Sequence, residues 1–125
     1  MISAIIPTFN RPIKVRRAVA SVQDQRDLRE GELEIIVVDD ASTPPLHLDD
    51  ADPRIRIVRL PHNVGPAGAR NAGIQASAGE YLAFLDSDDC WMPDKLAQQL
   101  VTFKELERKN NRSLTALVCG FYYPN

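Results

Sequence analysis

Apolar and polar positions come in blocks that alternate between two periods. SAIIPTF (Ser3–Phe9) is a short apolar run closed by a turn, the pattern of a buried strand. Asn10 is placed to cap a helix near Pro12. Val15, Ala18, Val19 and Val22 then recur at i, i+3, i+4, i+7, which predicts a helix to about Arg26 with one apolar stripe. LEIIVV (Leu33–Val38) is nearly continuous and rich in β-branched residues, as expected of a strand buried on both faces of a parallel sheet. Ala41–Pro53 mixes proline with acids and reads as loop, before RIRIVRL (Arg54–Leu60) alternates like a strand with one wet face. Asn63 opens a helix to about Ala78, in which Ala69, Ala72, Gly73 and Ala76 form a small-residue face suited to close packing. YLAFL (Tyr81–Leu85) is the next apolar run. Pro93 suits a first helical turn, with Leu96, Leu100, Phe103 and Leu106 following at helical spacing, and Leu114–Tyr123 is a last candidate strand.

The order β-α-β-β-α-β-α-β predicts an α/β domain with a mainly parallel sheet. At 125 residues the chain is long enough for one domain with its own core, and its 44% hydrophobic and 26% charged residues are those of an ordinary globular protein. No run approaches the ~18 apolar residues of a membrane span. The start MISAIIPTFN has no basic region and runs straight into a core strand, so no signal peptide is expected. These features point to the cytoplasm, with a peripheral position at the inner face of the membrane left open for a longer protein. Cys90 and Cys119, with His47 and His62, make neither a disulfide framework nor a zinc site. A net charge of -2 argues against nucleic acid as a partner.

In open α/β sheets ligands sit outside the carboxyl ends of the strands. Three of the expected strands end in unusual polar groups: Pro7-Thr8-Phe9-Asn10, Asp39-Asp40-Ala41-Ser42 and Asp86-Ser87-Asp88-Asp89. The last packs three carboxylates into four residues, although two unit charges about 4 Å apart repel by about 1 kcal/mol in water and about 4 at an effective dielectric near 20. On an extended segment Asp86 and Asp88 share one side, a pair of hard oxygen ligands for Mg2+ or Mn2+ completed by water and phosphate oxygens. The alternative is that these acids, Asp89 among them, are solvated or cap the helix at Pro93. A calcium loop is excluded, because the sixth and twelfth positions from Asp86 are Trp91 and Ala97. A phosphoryl-transfer nucleophile at Asp86 stays open. Asp39 can accept from a base imide or from ribose hydroxyls, or simply shape the turn into Ala41-Ser42. NVGPAGARNAG (Asn63–Gly73) offers close backbone approach, a helix start and the charged fork of Arg70 for phosphate, or small residues for packing alone; it lacks the ending of a P-loop. His62 and Trp91 are read as structural.

Taken in order, PTFNR (Pro7–Arg11), IIVVDDAS (Ile35–Ser42), NVGPAGARNAG and AGEYLAFLDSDDCWMPDKL (Ala78–Leu96) resemble the nucleotide-sugar-binding half of the family 2 glycosyltransferases, inverting enzymes of the GT-A fold. The resemblance implies a Rossmann-like, mainly parallel sheet flanked by helices, with residues 1–125 forming the donor-binding part of a longer chain. It implies that Asp88 holds a divalent metal, Mg2+ or Mn2+, directly, and that Asp86 lies nearer the ribose or reaches the metal through water. By the same resemblance Asp39 meets the base, Pro7, Thr8 and Asn10 line the base pocket, and Arg70 contacts the donor. The implied reaction is transfer of a sugar from a nucleotide diphosphate, UDP by family habit, to an acceptor on a glycan, lipid or protein. The general base of such enzymes lies in a later acidic motif for which Glu105 and Glu107 do not substitute, so no catalytic residue is assigned here and donor binding without transfer is expected of this piece. The alternatives are a nucleotidyltransferase acting on sugar phosphates, whose glycine-rich basic loop would replace PTFNRP, and a non-catalytic nucleotide-sugar-binding module.

Overall fold

The computed structural model describes residues 1–111 and 116–120. Its elements are β1 (Ile2–Thr8), α1 (Pro12–Gln23), β2 (Leu33–Asp39), β3 (Ile55–Arg59), α2 (Gly65–Ala76), β4 (Tyr81–Phe84) and α3 (Lys95–Asn110). The strands form one sheet in the order β3-β2-β1-β4, and every neighbouring pair is parallel. All four carboxyl ends therefore lie along one rim, as a Rossmann-like α/β sheet requires.

Strand alternation divides the core in two. Ile2, Ala4 and Ile6 of β1 and Leu33, Ile35 and Val37 of β2 face the α1 stripe of Val15, Ala18, Val19 and Val22, joined by Leu96 of α3. Ile5, Ile36 and Val38 face the other way, under α2 and its buried Ala69. The small-residue face of α2 works as the sequence suggests. A Cβ at Gly73 would collide with a methyl of Ile5 and lie 3.2 Å from Cγ2 of Val38, so only glycine lets the helix sit this close to the sheet. On α3 the expected stripe is shallower: Leu96 alone is buried, and Phe103 meets Tyr81 edge to face at 5.8 Å.

Several boundaries differ from the sequence reading, each for a local reason. Asn10 does not cap α1; Arg11 occupies that position without a side-chain cap, because Asn10 takes a left-handed backbone (φ 51°) and turns its side chain elsewhere. The helix α1 ends at Gln23 rather than Arg26. α2 starts at Gly65, two residues later than expected, and α3 at Lys95 behind Asp94, with Pro93 in the preceding turn. Half of the strand expected at Leu114–Tyr123 lies outside the described residues, and 116–120 carry no regular structure. No helix of the described residues is long and apolar enough to cross a membrane.

The end of the sheet opposite the rim is clamped by Glu34. It accepts from the Ser3 hydroxyl and from the Ala78 amide (2.6 Å), while the Gly79 amide donates to Ser3 Oγ at 2.8 Å. Burial pushes the Glu34 carboxyl up, but the donors, Ser3 first, together with Arg56, hold it below its usual value. This clamp brings β4 alongside β1, and a Cβ at Gly79 would lie 2.7 Å from the Ser3 nitrogen and 2.9 Å from the Met1 oxygen, both main-chain atoms. Gly79→Ala should therefore destabilise the fold by about 2 kcal/mol, as overpacking against rigid backbone does; denaturant unfolding is the measurement.

Candidate functional site

The rim is organised by two consecutive carboxylates at the end of β2. Strand alternation sends them to opposite faces. Asp39 is fully buried and accepts from the Ser42 amide (3.0 Å), the Leu46 amide (3.0 Å) and the guanidinium of Arg59, its register partner on β3. Burial pushes the Asp39 carboxyl up; the Ser42 hydroxyl, the Leu46 and Ser42 amides and Arg59 outweigh that and hold it below the usual carboxylate value. Asp40 instead accepts from the Val64 amide (2.8 Å) and the Gly65 amide (2.9 Å), covering the exposed donors at the start of α2. Arg59 also donates to the Ser42 carbonyl at 3.0 Å, so the loop after β2 is held from both sides.

Beside this loop lies the end of β1. The Asn10 amide donates to Ser42 Oγ (2.9 Å) and its side-chain oxygen accepts from the Thr43 amide (2.8 Å), which ties the two loops together. Between them is a cleft of about 320 Å3 whose lining includes Thr8, Asn10, Arg11, Ser42 and Leu46. Thr8 Oγ1 is the one buried side-chain polar atom among the described residues that has no hydrogen-bond partner. A buried hydroxyl without a partner costs about 1–3 kcal/mol, so its position in the wall of a cleft marks where an incoming polar group would be welcome. Backbone strain collects at the same place: Asn10 (φ 51°) and Ala41 (φ 62°) are both left-handed.

The third polar tip follows β4. Residues 86–89 form a turn, closed by the Asp89 amide on the Asp86 carbonyl at 3.0 Å, rather than the extended segment on which the same-side argument for Asp86 and Asp88 rested. The two side chains accordingly take different partners. Asp86 pairs with Arg70 of α2, and Asp88 Oδ2 accepts from Arg11 Nη1 at 3.0 Å. Both carboxylates are well exposed, 55% and 41%. Asp89 makes no helix cap, since Asp94 precedes α3.

Most of the residues singled out in the sequence thus gather on the rim: Thr8 and Asn10 in the cleft wall, Asp39 beneath its loop, Asp86, Asp88 and Arg70 on the β4 side. Pro7 does not line the cleft; it is buried within β1, opposite Val38 in the register. Arg11 and Asp40 enter the sequence reading only as members of PTFNR and of the β2 tip, with no role of their own, and Arg59 is not singled out there. Alternation along IIVVDD and RIRIVRL already implied the last two, whereas nothing in PTFNRP singles out the arginine. For a metal, no group of three His, Cys, Asp or Glu side chains converges among the described residues. The donor set that remains is Asp86 and Asp88, hard oxygens open to solvent, which fits Mg2+ or Mn2+ when phosphate oxygens and water supply the other ligands.

The depressed Asp39 carboxyl ties stability to pH. A folded-state value below the unfolded one contributes stability that is complete above the ordinary carboxylate range and lost as pH falls through the folded value. Unfolding free energy should therefore decline below about pH 4. Asp39→Asn should lower it by about 2–3 kcal/mol at neutral pH and flatten the acid decline, as thermal melts between neutral and acid pH would report.

Comparison with known proteins follows the same residues. The family model described as glycosyl transferase family 2 matches residues 3–111. The succinoglycan biosynthesis protein ExoO of Rhizobium meliloti is 39% identical over 102 residues, 79% of this chain; the match spans only 28% of that protein's length. The solved structure of S. aureus TarS 1-349 with UDP superposes with a TM-score of 0.69 at 27% identity over 86% of this chain and 32% of that one. The mannosyltransferase PcManGT of Pyrobaculum calidifontis, in complex with GDP-Man and Mn2+, gives a TM-score of 0.68 at 25% identity, covering 79% and 31%. With a parallel sheet whose rim gathers the motifs and a family match across nearly all described residues, the chain belongs to glycosyl transferase family 2.

Proposed function

We propose that the chain binds the nucleotide-diphosphate sugar of a metal-dependent, inverting glycosyltransferase, and that the longer protein passes the sugar to an acceptor on a glycan, lipid or protein. The observation that carries this reading is the cleft walled by the unpaired Thr8 hydroxyl, next to a turn that presents two exposed carboxylates. The base enters the cleft between the loops after β1 and β2. Asn10 and Thr8 form its wall, and Asp39, whose roughly four acceptor sites are met by the Ser42 hydroxyl and amide, the Leu46 amide and Arg59, takes a base N–H in place of the Ser42 hydroxyl. Pro7 fixes the strand end rather than touching the ligand. The diphosphate extends toward β4, where Asp88, with Asp86 at the ribose side or through water, holds Mg2+ or Mn2+. Such an ion stabilises the negative charge that grows on a departing diphosphate. Arg70 meets the same phosphates.

Three relatives support the class of donor and of product. TarS is solved with UDP and PcManGT with GDP-Man and Mn2+, so a nucleotide diphosphate and a divalent ion are the probes to use. ExoO belongs to succinoglycan biosynthesis, which favours a polysaccharide as the product here. In calorimetric titrations of the full-length protein, UDP should bind in the presence of Mn2+. Asp88→Ala should weaken that binding about tenfold or more, equivalent to about 1.4 kcal/mol. Saturable binding of GDP instead would correct the base and keep the site. Failure of both nucleotides, or binding indifferent to Mn2+ and to Asp88→Ala, would end the proposal.

A further inference from the structure

Arg11 stands between the two halves of the site. It belongs to the wall of the cleft that contains the unpaired Thr8 hydroxyl, and its guanidinium, about half exposed, donates to Asp88 on the carboxylate turn. Its side chain is therefore within reach of a molecule that would span cleft and turn. The other arginine in the cleft wall, Arg16, is committed elsewhere: it donates to the His47 carbonyl at 2.8 Å and lies 3.8 Å from Asp49.

We infer that Arg11 is a placeholder that exchanges partners: it occupies Asp88 until a divalent cation takes that carboxylate, and then turns onto a phosphate oxygen of the nucleotide. The inference rests on the donor-binding reading above. Charge balance supports it. Asp86 and Asp88 are neutralised in the structure by Arg70 and Arg11. A divalent cation on Asp88, with Asp86 reaching it through water, offsets the two carboxylates, and the diphosphate of a nucleotide sugar, with one negative charge on each phosphorus, takes over the two guanidinium groups, so every charge again has an opposite partner. The guanidinium fork suits phosphate as well as carboxylate, and an exposed ion pair is weak enough to be given up. Arg11 then opposes metal binding alone and favours metal and nucleotide together, so the site holds its cation firmly only with a nucleotide present.

The distinguishing result is a reversal of sign in one variant of the full-length protein. Arg11→Gln should bind Mn2+ alone about two- to fivefold more tightly, the range that release of one exposed ion pair allows. It should bind UDP in saturating Mn2+ about tenfold more weakly, as expected for loss of a hydrogen bond to a charged group. Arg11→Lys keeps the charge and should fall between wild type and Arg11→Gln on both measurements. Lys14→Gln removes a like charge from α1 at a residue that makes no ion pair among the described residues, and should move neither. Calorimetry reads all four proteins, and Mn2+ alone needs no turnover. The inference is overturned if Arg11→Gln shifts both affinities the same way or neither, or if Lys14→Gln reproduces its effect. If wild type binds no UDP with Mn2+, the donor-binding reading fails and takes the inference with it; if wild type binds UDP and Arg11→Gln behaves identically, the inference alone fails.

Discussion

Successive residues of a strand must face opposite sides of its sheet, and at the end of β2 both of those residues are aspartates. That constraint assembles the rim. Asp39 turns toward the α1 side and gathers the loop after β2 and Arg59 of β3, while Asp40 turns toward α2 and covers its first amides. Neither acid could do the work of the other, because each lies on the face where its partners are. A single dipeptide thereby fixes a loop, a neighbouring strand and a helix relative to one another. The cleft between the loops after β1 and β2 follows from this fixation, with Asn10 supplying the last link through Ser42 and Thr43.

The carboxylates after β4 obey a different logic. Asp39 is buried, and its charge is stabilised by donors that cannot leave without unfolding the loop. Asp86 and Asp88 are exposed, and each is met by one arginine from another element. Burial surrounds the first group with loop amides that hold it in place; exposure leaves the second pair free to change partners. Acid-rich strand tips that look alike as text therefore differ in how freely they exchange partners once solvent access is known.

The sequence made the parallel sheet, its two helix-covered faces and the gathering of polar tips legible, because each depends on periodicity or on continuous apolar runs such as LEIIVV. The small-residue face of α2 was readable for the same reason. Boundaries were less so. Asn10 has the chemistry of a cap, but its left-handed backbone and the nearby Ser42 and Thr43 gave it better partners, a tertiary preference that no local pattern carries. The same holds for residues 86–89, where a turn replaces an extended segment and sends two neighbouring acids to two arginines. Arg11 was invisible, since its meaning depends on a residue far along the chain. What escaped the sequence were long-range pairings, not elements.

The two margins of the sheet differ in a way that bears on self-association. On β3, alternation sends Arg56 and Arg59 to opposite faces, where Arg56 donates to the Ala76 carbonyl and Arg59 to Asp39, so each is tied to a neighbouring element. Among the described residues β4 is the opposite margin, and it leaves Leu82 and Phe84 exposed at 40% and 44%. An apolar margin of this kind is a template for another strand. The sheet therefore has one side whose arginines are tied inward and one where a further strand would find apolar side chains to pack beside.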